Sequence, residues 1–383
     1  MKVLPASATF FIVIVTAFID PSIKKPRTNF TTTNANPKIQ TAILIDVSGS
    51  MEGLIEQAKA QLWNMVTIMG KAKCDGVTPG IEIALYEYGR ATNDRKTGFI
   101  KQLSPFTSDL DQLSQELFKL TTNGSENYCG QVIYTSLNEL KWDTSSSSYK
   151  VIFISGNESF LQGTLPYIKA CDLANKKGVI VNTIYCGDRL QGIQEHWDLA
   201  GECGNGSYTN INQDARIEDI PTPYDSTLVV LNGKLNGTYL WYGENGANAY
   251  NMQATVDQSN FSNNKSAGLK RANVKSNSKL YSNAQWDLID ASNADTTFYK
   301  KVDMKTLPDS LKNSSRDQLQ KVISAKNSER VLIQNDIQKV SKQRSDFIAT
   351  EKAKNGGSNI ATLESEVEKI IKQQVKRFNM KIE

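Results

Sequence analysis

The 383-residue chain contains a single histidine, His196. A multi-histidine zinc site is thereby excluded, and a serine–histidine catalytic pair would have to rest on that one residue, which lies beside Trp197 as a packing residue would. The five cysteines, Cys74, Cys129, Cys171, Cys186 and Cys203, never occur as Cys-x-x-Cys, which removes zinc-ribbon and dithiol redox chemistry. No Gly-x-Ser-x-Gly elbow is present, so the usual setting of a nucleophilic serine is missing. The net charge is only +4, and no dense basic stripe with interleaved aromatics occurs, so nucleic acid is not an expected partner. The apolar stretch Phe10–Phe18 is too short for an ordinary membrane-spanning helix.

That stretch follows Lys2 and carries the small residues Val15-Thr16-Ala17, a pattern that predicts an export signal over residues 1–19. An uncleaved membrane-proximal anchor is the alternative. Residues 20–38, with Pro21, Pro26 and Pro37, read as an extended linker. The expected location is therefore periplasmic, secreted or surface-associated. In an oxidising compartment five cysteines allow two disulfides and one thiol. Cys186–Cys203, which flank one loop, is the pair expected if one bridge is singled out. The other reading is a set of small buried apolar side chains.

The most informative stretch is Gln40–Met51. Ala42-Ile43-Leu44-Ile45 is a branched apolar run of the kind buried on both faces of a sheet. Asp46-Val47-Ser48-Gly49-Ser50 follows at once. Leu54, Ile55, Ala58, Leu62, Met65, Val66 and Met69 then recur at helical spacing. One carboxylate and two hydroxyls thus fall on a strand-to-helix turn, where short side chains can converge on a hard cation. A plain helix cap by Ser48 or Ser50 is the alternative. Further strands are predicted at Ile81–Tyr88, Val151–Ile154 and Val179–Tyr185, and helices at Ser108–Leu120, with Ser108 as its cap, and Leu165–Lys176. This alternation predicts an α/β fold: a doubly wound, mostly parallel sheet covered by helices.

Asp46-x-Ser48-x-Ser50, followed by Met51, resembles the first motif of the metal-ion-dependent adhesion site of von Willebrand factor A domains. The resemblance covers about residues 38–220 and implies that family's Rossmann-like fold, with an antiparallel strand near Phe99-Ile100. The loop Leu120–Tyr128 is similar to the second motif, with Ser125 where the family has Thr. The third motif departs: after Val151–Ile154 comes Ser155-Gly156-Asn157-Glu158, with Gly156 at the position of the family's Asp. The implied metal ligands are Asp46, Ser48, Ser50 and Ser125, holding Mg2+ or Mn2+ weakly or not at all, with Asn157 and Glu158 as substitutes for the missing carboxylate.

The domain expected at 39–220 is followed by a C-terminal extension. Residues 221–305, rich in Asn, Ser, Gly and Lys, read as loop-rich and partly β, and 306–383 as a helical hairpin turning at Gly356-Gly357. Near-heptad spacing in its second helix admits coiled-coil self-association. The resemblance implies a non-enzymatic protein-binding module whose partner completes the metal site with an acidic residue. A scaffold or assembly component with a vestigial, metal-free site is the alternative. A hydrolase using Ser48 or Ser50 is a third reading that no nearby base supports.

Overall fold

The branched apolar run before Asp46 forms the central strand β1 (Lys38–Asp46) of a computed structural model that describes residues 37–124, 126–212, 220–354 and 363–382. The expected signal (1–19), most of the linker and the Gly356-Gly357 turn lie outside the described residues. Helix α1 (Glu52–Gly70) follows, then the short strand β2 (Ala72–Cys74), β3 (Gly80–Tyr88) and β4 (Ile100–Thr107). Next come α2 (Leu110–Lys119), α3 (Cys129–Glu139), β5 (Tyr149–Gly156), α4 (Tyr167–Lys177) and β6 (Ile180–Cys186). Helices α5 (Arg189–Gln194) and α6 (Trp197–Cys203) lead to the edge strand β7 (Tyr208–Ile211). Asp109, not Ser108, caps α2, its carboxylate accepting from the N–H groups of Asp111 and Gln112.

The sheet order is β4-β3-β1-β5-β6-β7, parallel throughout except for β4, which runs antiparallel to β3. This is the doubly wound sheet with one antiparallel member that the sequence implied. Its two faces carry separate cores, as the alternation of side chains along each strand requires. Ile45, Phe153 and Ile184 pack toward α1 with Leu54, Leu62 and Val66. Leu44, Ile152, Ile154 and Val181 pack toward α3 and α4 with Val132, Ile133, Ala170 and Ala174.

Residues beyond the sheet depart from expectation. The segment 221–305 is helical, not loop-rich or β: α7 (Asp225–Asn236), α8 (Gly246–Asn263), α9 (Lys265–Lys275), α10 (Leu288–Ala294) and α11 (Phe298–Lys301). Its only β pairing among the described residues outside named strands is a bridge between Trp241 and Asp287. The helices lack a clean apolar stripe because they bury charged and amide side chains against each other. Arg271, fully buried, pairs with Asp257 and donates to Asp111 of α2 at 2.6 Å, while Lys275 reaches Asp257 at 2.8 Å. Trp63 of α1 donates to Asn260 of α8 at 2.6 Å.

Nor is there a helical hairpin. Helix α12 (Arg316–Lys354) packs on α7 and α9, whereas α13 (Leu363–Gln374) packs on α1. Leu363 and Val367 meet Ile43, Ile45, Phe153 and Ile184 of the sheet across a small apolar cavity. The Gln374 amide exchanges hydrogen bonds with Asn182 of β6 and accepts from the Tyr149 hydroxyl of β5 at 2.8 Å. The chain then adds β8 (Met380–Ile382) antiparallel to β2. Helix α13 is therefore part of the sheet's covering layer, and residues 220–354 are inserted between β7 and α13 rather than appended.

The cysteine pairing also differs. Cys171 of α4 is bonded to Cys203 at the end of α6, with Cα atoms 5.7 Å apart. Cys186 is a buried free thiol in the core facing α1. Cys203 ends a helix that packs with α4 over the other face, so the sheet separates the two residues expected to pair.

If α13 closes the core, Ile371→Ala, at a position with 0 % exposure, should lower stability by about 2–5 kcal/mol. Urea unfolding reads this; a loss near zero would mean that α13 only rests on a domain complete without it.

Candidate metal centre

The carboxyl ends of the parallel strands bring Asp46, Tyr88, Gly156 and Cys186 to one edge of the sheet, where doubly wound folds place their sites. Loops lock together there. The N–H of Val47 donates to Tyr88 O, that of Asn123 to Val47 O, that of Gly49 to Gly124 O and that of Ala91 to Asn123 O, at 2.8–3.2 Å. Gly124 has φ +119°, and a Cβ on it would lie 2.2 Å from Gly89 O, so only glycine lets these strands of loop touch. Arg90 grips Glu87 through two nitrogens and donates to Thr121 O at 2.7 Å, tying the second-motif loop to β3.

Asp46 is fully buried. Its Oδ1 accepts from the Ser48 N–H at 2.7 Å and its Oδ2 from Asn127 Nδ2 at 2.8 Å. Burial pushes the carboxyl up to about 7, against the downward pull of the Ser48 N–H and hydroxyl, with the charge of Glu158 raising it further. Ser48 Oγ is buried close enough to this carboxyl to pull it down, but it lies outside good hydrogen-bond geometry to any described residue, and Asn127 Oδ1 has no partner among them. Met51 stands at the N-cap of α1 and makes no side-chain cap, so neither serine is engaged as one. Ser50 is exposed at the mouth, where its hydroxyl and the Asn157 amide lie 3.0 Å apart. Glu158, half-buried, accepts from Gln162 Nε2 at 3.3 Å, and Gln162 Oε1 in turn accepts the Asn127 N–H at 2.8 Å.

Asp46, Ser48, Ser50 and Asn157 thus come together, and Glu158 is close enough to act on Asp46 through its charge. Ser125 lies outside the described residues, although its neighbour Gly124 is docked against Gly49. No group of three or more His, Cys, Asp or Glu gathers among the described residues, so a cation here would meet one carboxylate and several neutral oxygens. That donor set fits a hard, weakly held cation.

Sequence reasoning missed Asn127 and Tyr88. Asn127 stood in the right loop but lacks the hydroxyl that marked Ser125. The Tyr88 hydroxyl packs against Gly156. A Cβ on Gly156 would lie 2.7 Å from that hydroxyl and 3.0 Å from Asp46 Oδ2. The hydroxyl itself donates to Ser155 O at 2.9 Å. The signal is a pair, a large residue ending β3 and a small one ending β5, visible only once the strands are aligned.

No protein-family model matches the chain, and no curated protein matches it in sequence. Among solved structures it is similar to an aerotolerance-related membrane protein from Bacteroides fragilis, at 14% identity and TM-score 0.32 over 46% of this chain and 93% of that one. A von Willebrand factor type A protein from Catenulispora acidiphila matches at 14% identity and TM-score 0.35, over 46% of this chain and 39% of that one. A proximal thread matrix protein from mussel byssus, with a zinc-occupied adhesion-site motif, matches at 14% identity and TM-score 0.33, over 46% and 42%. The likeness is one of fold and spans less than half of this chain.

Restoring the third-motif carboxylate by Gly156→Asp should cost about 1–3 kcal/mol through overpacking against Tyr88, and adding Tyr88→Phe should recover part of the loss. Unchanged unfolding curves for Gly156→Asp would show that the space is open. In chelator, the native state keeps the Asp46 proton up to about pH 7, whereas the unfolded chain releases it near the ordinary 3.8. Stability should therefore decline as pH rises through this window, by at most about 4 kcal/mol, and Asp46→Asn should flatten the decline. Equal slopes in urea unfolding from pH 4 to 8 would place the effect elsewhere.

Proposed function

We propose that this fold works as a von Willebrand factor A-type protein-binding module, in which the strand-end cluster presents a weakly held divalent cation, Mg2+ or Mn2+, to an acidic side chain of a partner. The observation that carries the reading is Ser48 Oγ, a buried hydroxyl beside the buried Asp46 carboxyl that makes no well-formed hydrogen bond among the described residues. A buried polar atom left unanswered is costly, and a cation would answer it. Ser50 and Ser125 complete the proposed ligand set. Asn157 or Glu158 tunes it from the mouth, where a partner has access. The bound cation would supply a positive centre for a carboxylate. The partner of Ser50 is an amide, which takes no proton, and this favours binding over serine hydrolysis.

The Cys171–Cys203 bridge supports an oxidising, exported setting, in keeping with the signal read at residues 1–19. Among the described residues no helix is long and apolar enough to cross a membrane. A second reading, a metal-free scaffold, is favoured by Asp46 itself, both of whose oxygens already accept from protein N–H groups.

Calorimetric titration of the full chain with Mg2+ and Mn2+ separates the two. Saturable binding that Asp46→Ala abolishes is the expected result. No binding at millimolar metal would leave the scaffold.

A further inference from the structure

We propose that the side-chain carbonyl of Asn127 is a ligand of this cation site, a neutral oxygen standing in for the carboxylate missing at Gly156. The inference rests on the cation reading above. Asn127 is 1 % exposed and held from two sides. Its backbone N–H donates to Gln162 Oε1 at 2.8 Å and its Nδ2 to Asp46 Oδ2 at 2.8 Å. A bound cation requires Asp46 ionised, and an ionised carboxylate can only accept, so the second bond keeps the amide nitrogen toward Asp46 and leaves Oδ1 pointing elsewhere. That oxygen has no hydrogen-bond partner among the described residues.

Its surroundings place it beside the carboxylate. A Cβ on Gly89 would lie 2.0 Å from Asn127 Oδ1 and 3.0 Å from Asp46 Oδ1, so both oxygens crowd the same point of the Gly89 backbone, and only a glycine fits there. Ser48 Oγ, the other unanswered buried oxygen of the cluster, belongs to the residue whose N–H holds Asp46 Oδ1. Carboxylate, hydroxyl and amide carbonyl are the oxygen types that hard cations take. With Asn127 in the set the site carries one negative charge, and the identity of residue 127 sets its affinity.

Mn2+ titration of the full chain tests this, with unfolding curves confirming that each variant folds. Asn127→Asp should tighten binding at least tenfold, and Asn127→Ala should weaken it at least tenfold. Wild-type affinity in both, with binding still abolished by Asp46→Ala, overturns the ligand role while the cation reading stands. No binding by wild type or Asn127→Asp overturns both. If Asn127→Asp does not fold, pulsed EPR of Mn2+ on wild-type protein carrying 13C-asparagine decides. A 13C coupling that persists in Asn157→Ala is expected; no coupling, or one lost in that variant, rejects Asn127.

Discussion

Burying the Asp46 carboxyl at the end of the central strand costs free energy that neighbouring groups must offset, and four loops are arranged around that requirement. The Ser48 N–H and the Asn127 amide each take one oxygen. Gly89, Gly124 and Gly156 are small because the carboxyl, the Tyr88 hydroxyl and the backbone come too close for a side chain. The same crowding makes the site asymmetric. Protein donors satisfy the carboxyl, while among the described residues two oxygens beside it lack a well-formed hydrogen bond. The tension between these facts separates the cation-binding reading from the scaffold reading.

Helix α13 completes the covering layer of the sheet. It closes the face of the sheet that α1 begins, and its Gln374 amide bonds to both β5 and β6. Between β7 and α13 the chain leaves the sheet to build the helices α7–α12, which return to α1 through Trp63 and to α2 through Arg271. Helix α1 is consequently buried on nearly every side, and residues such as Gln57, Gln61 and Asn64 are inside although their polarity suggests an outer face.

How much of this could be read from sequence varied with the physics of each part. Strands β1 and β5 were legible because each carries a branched apolar run of the kind a strand buried on both faces needs, and β6 because the Gly178 turn sets it off from α4. The placement of Asp46, Ser48 and Ser50 on one strand-to-helix turn was legible because residues that close along the chain need no tertiary knowledge. The inserted helices were not, since Gln253, Asp257, Asn260 and Arg271 replace apolar periodicity with buried hydrogen bonds and ion pairs that local patterning cannot reveal. Cys171–Cys203 was missed because closeness along the chain favoured Cys186, and the face of a strand on which a thiol falls depends on register. Asn127 became visible only through its bond to a residue 81 positions away.

The position of α13 also has a consequence for how the molecule is made. The sheet is complete at Ile211, but the helix that covers α1's side begins at Leu363. At ordinary rates of synthesis that interval lasts on the order of ten seconds, during which the nascent sheet has one apolar face without its final layer. Delayed closure makes the interval before α13 arrives the time when the chain most needs a chaperone.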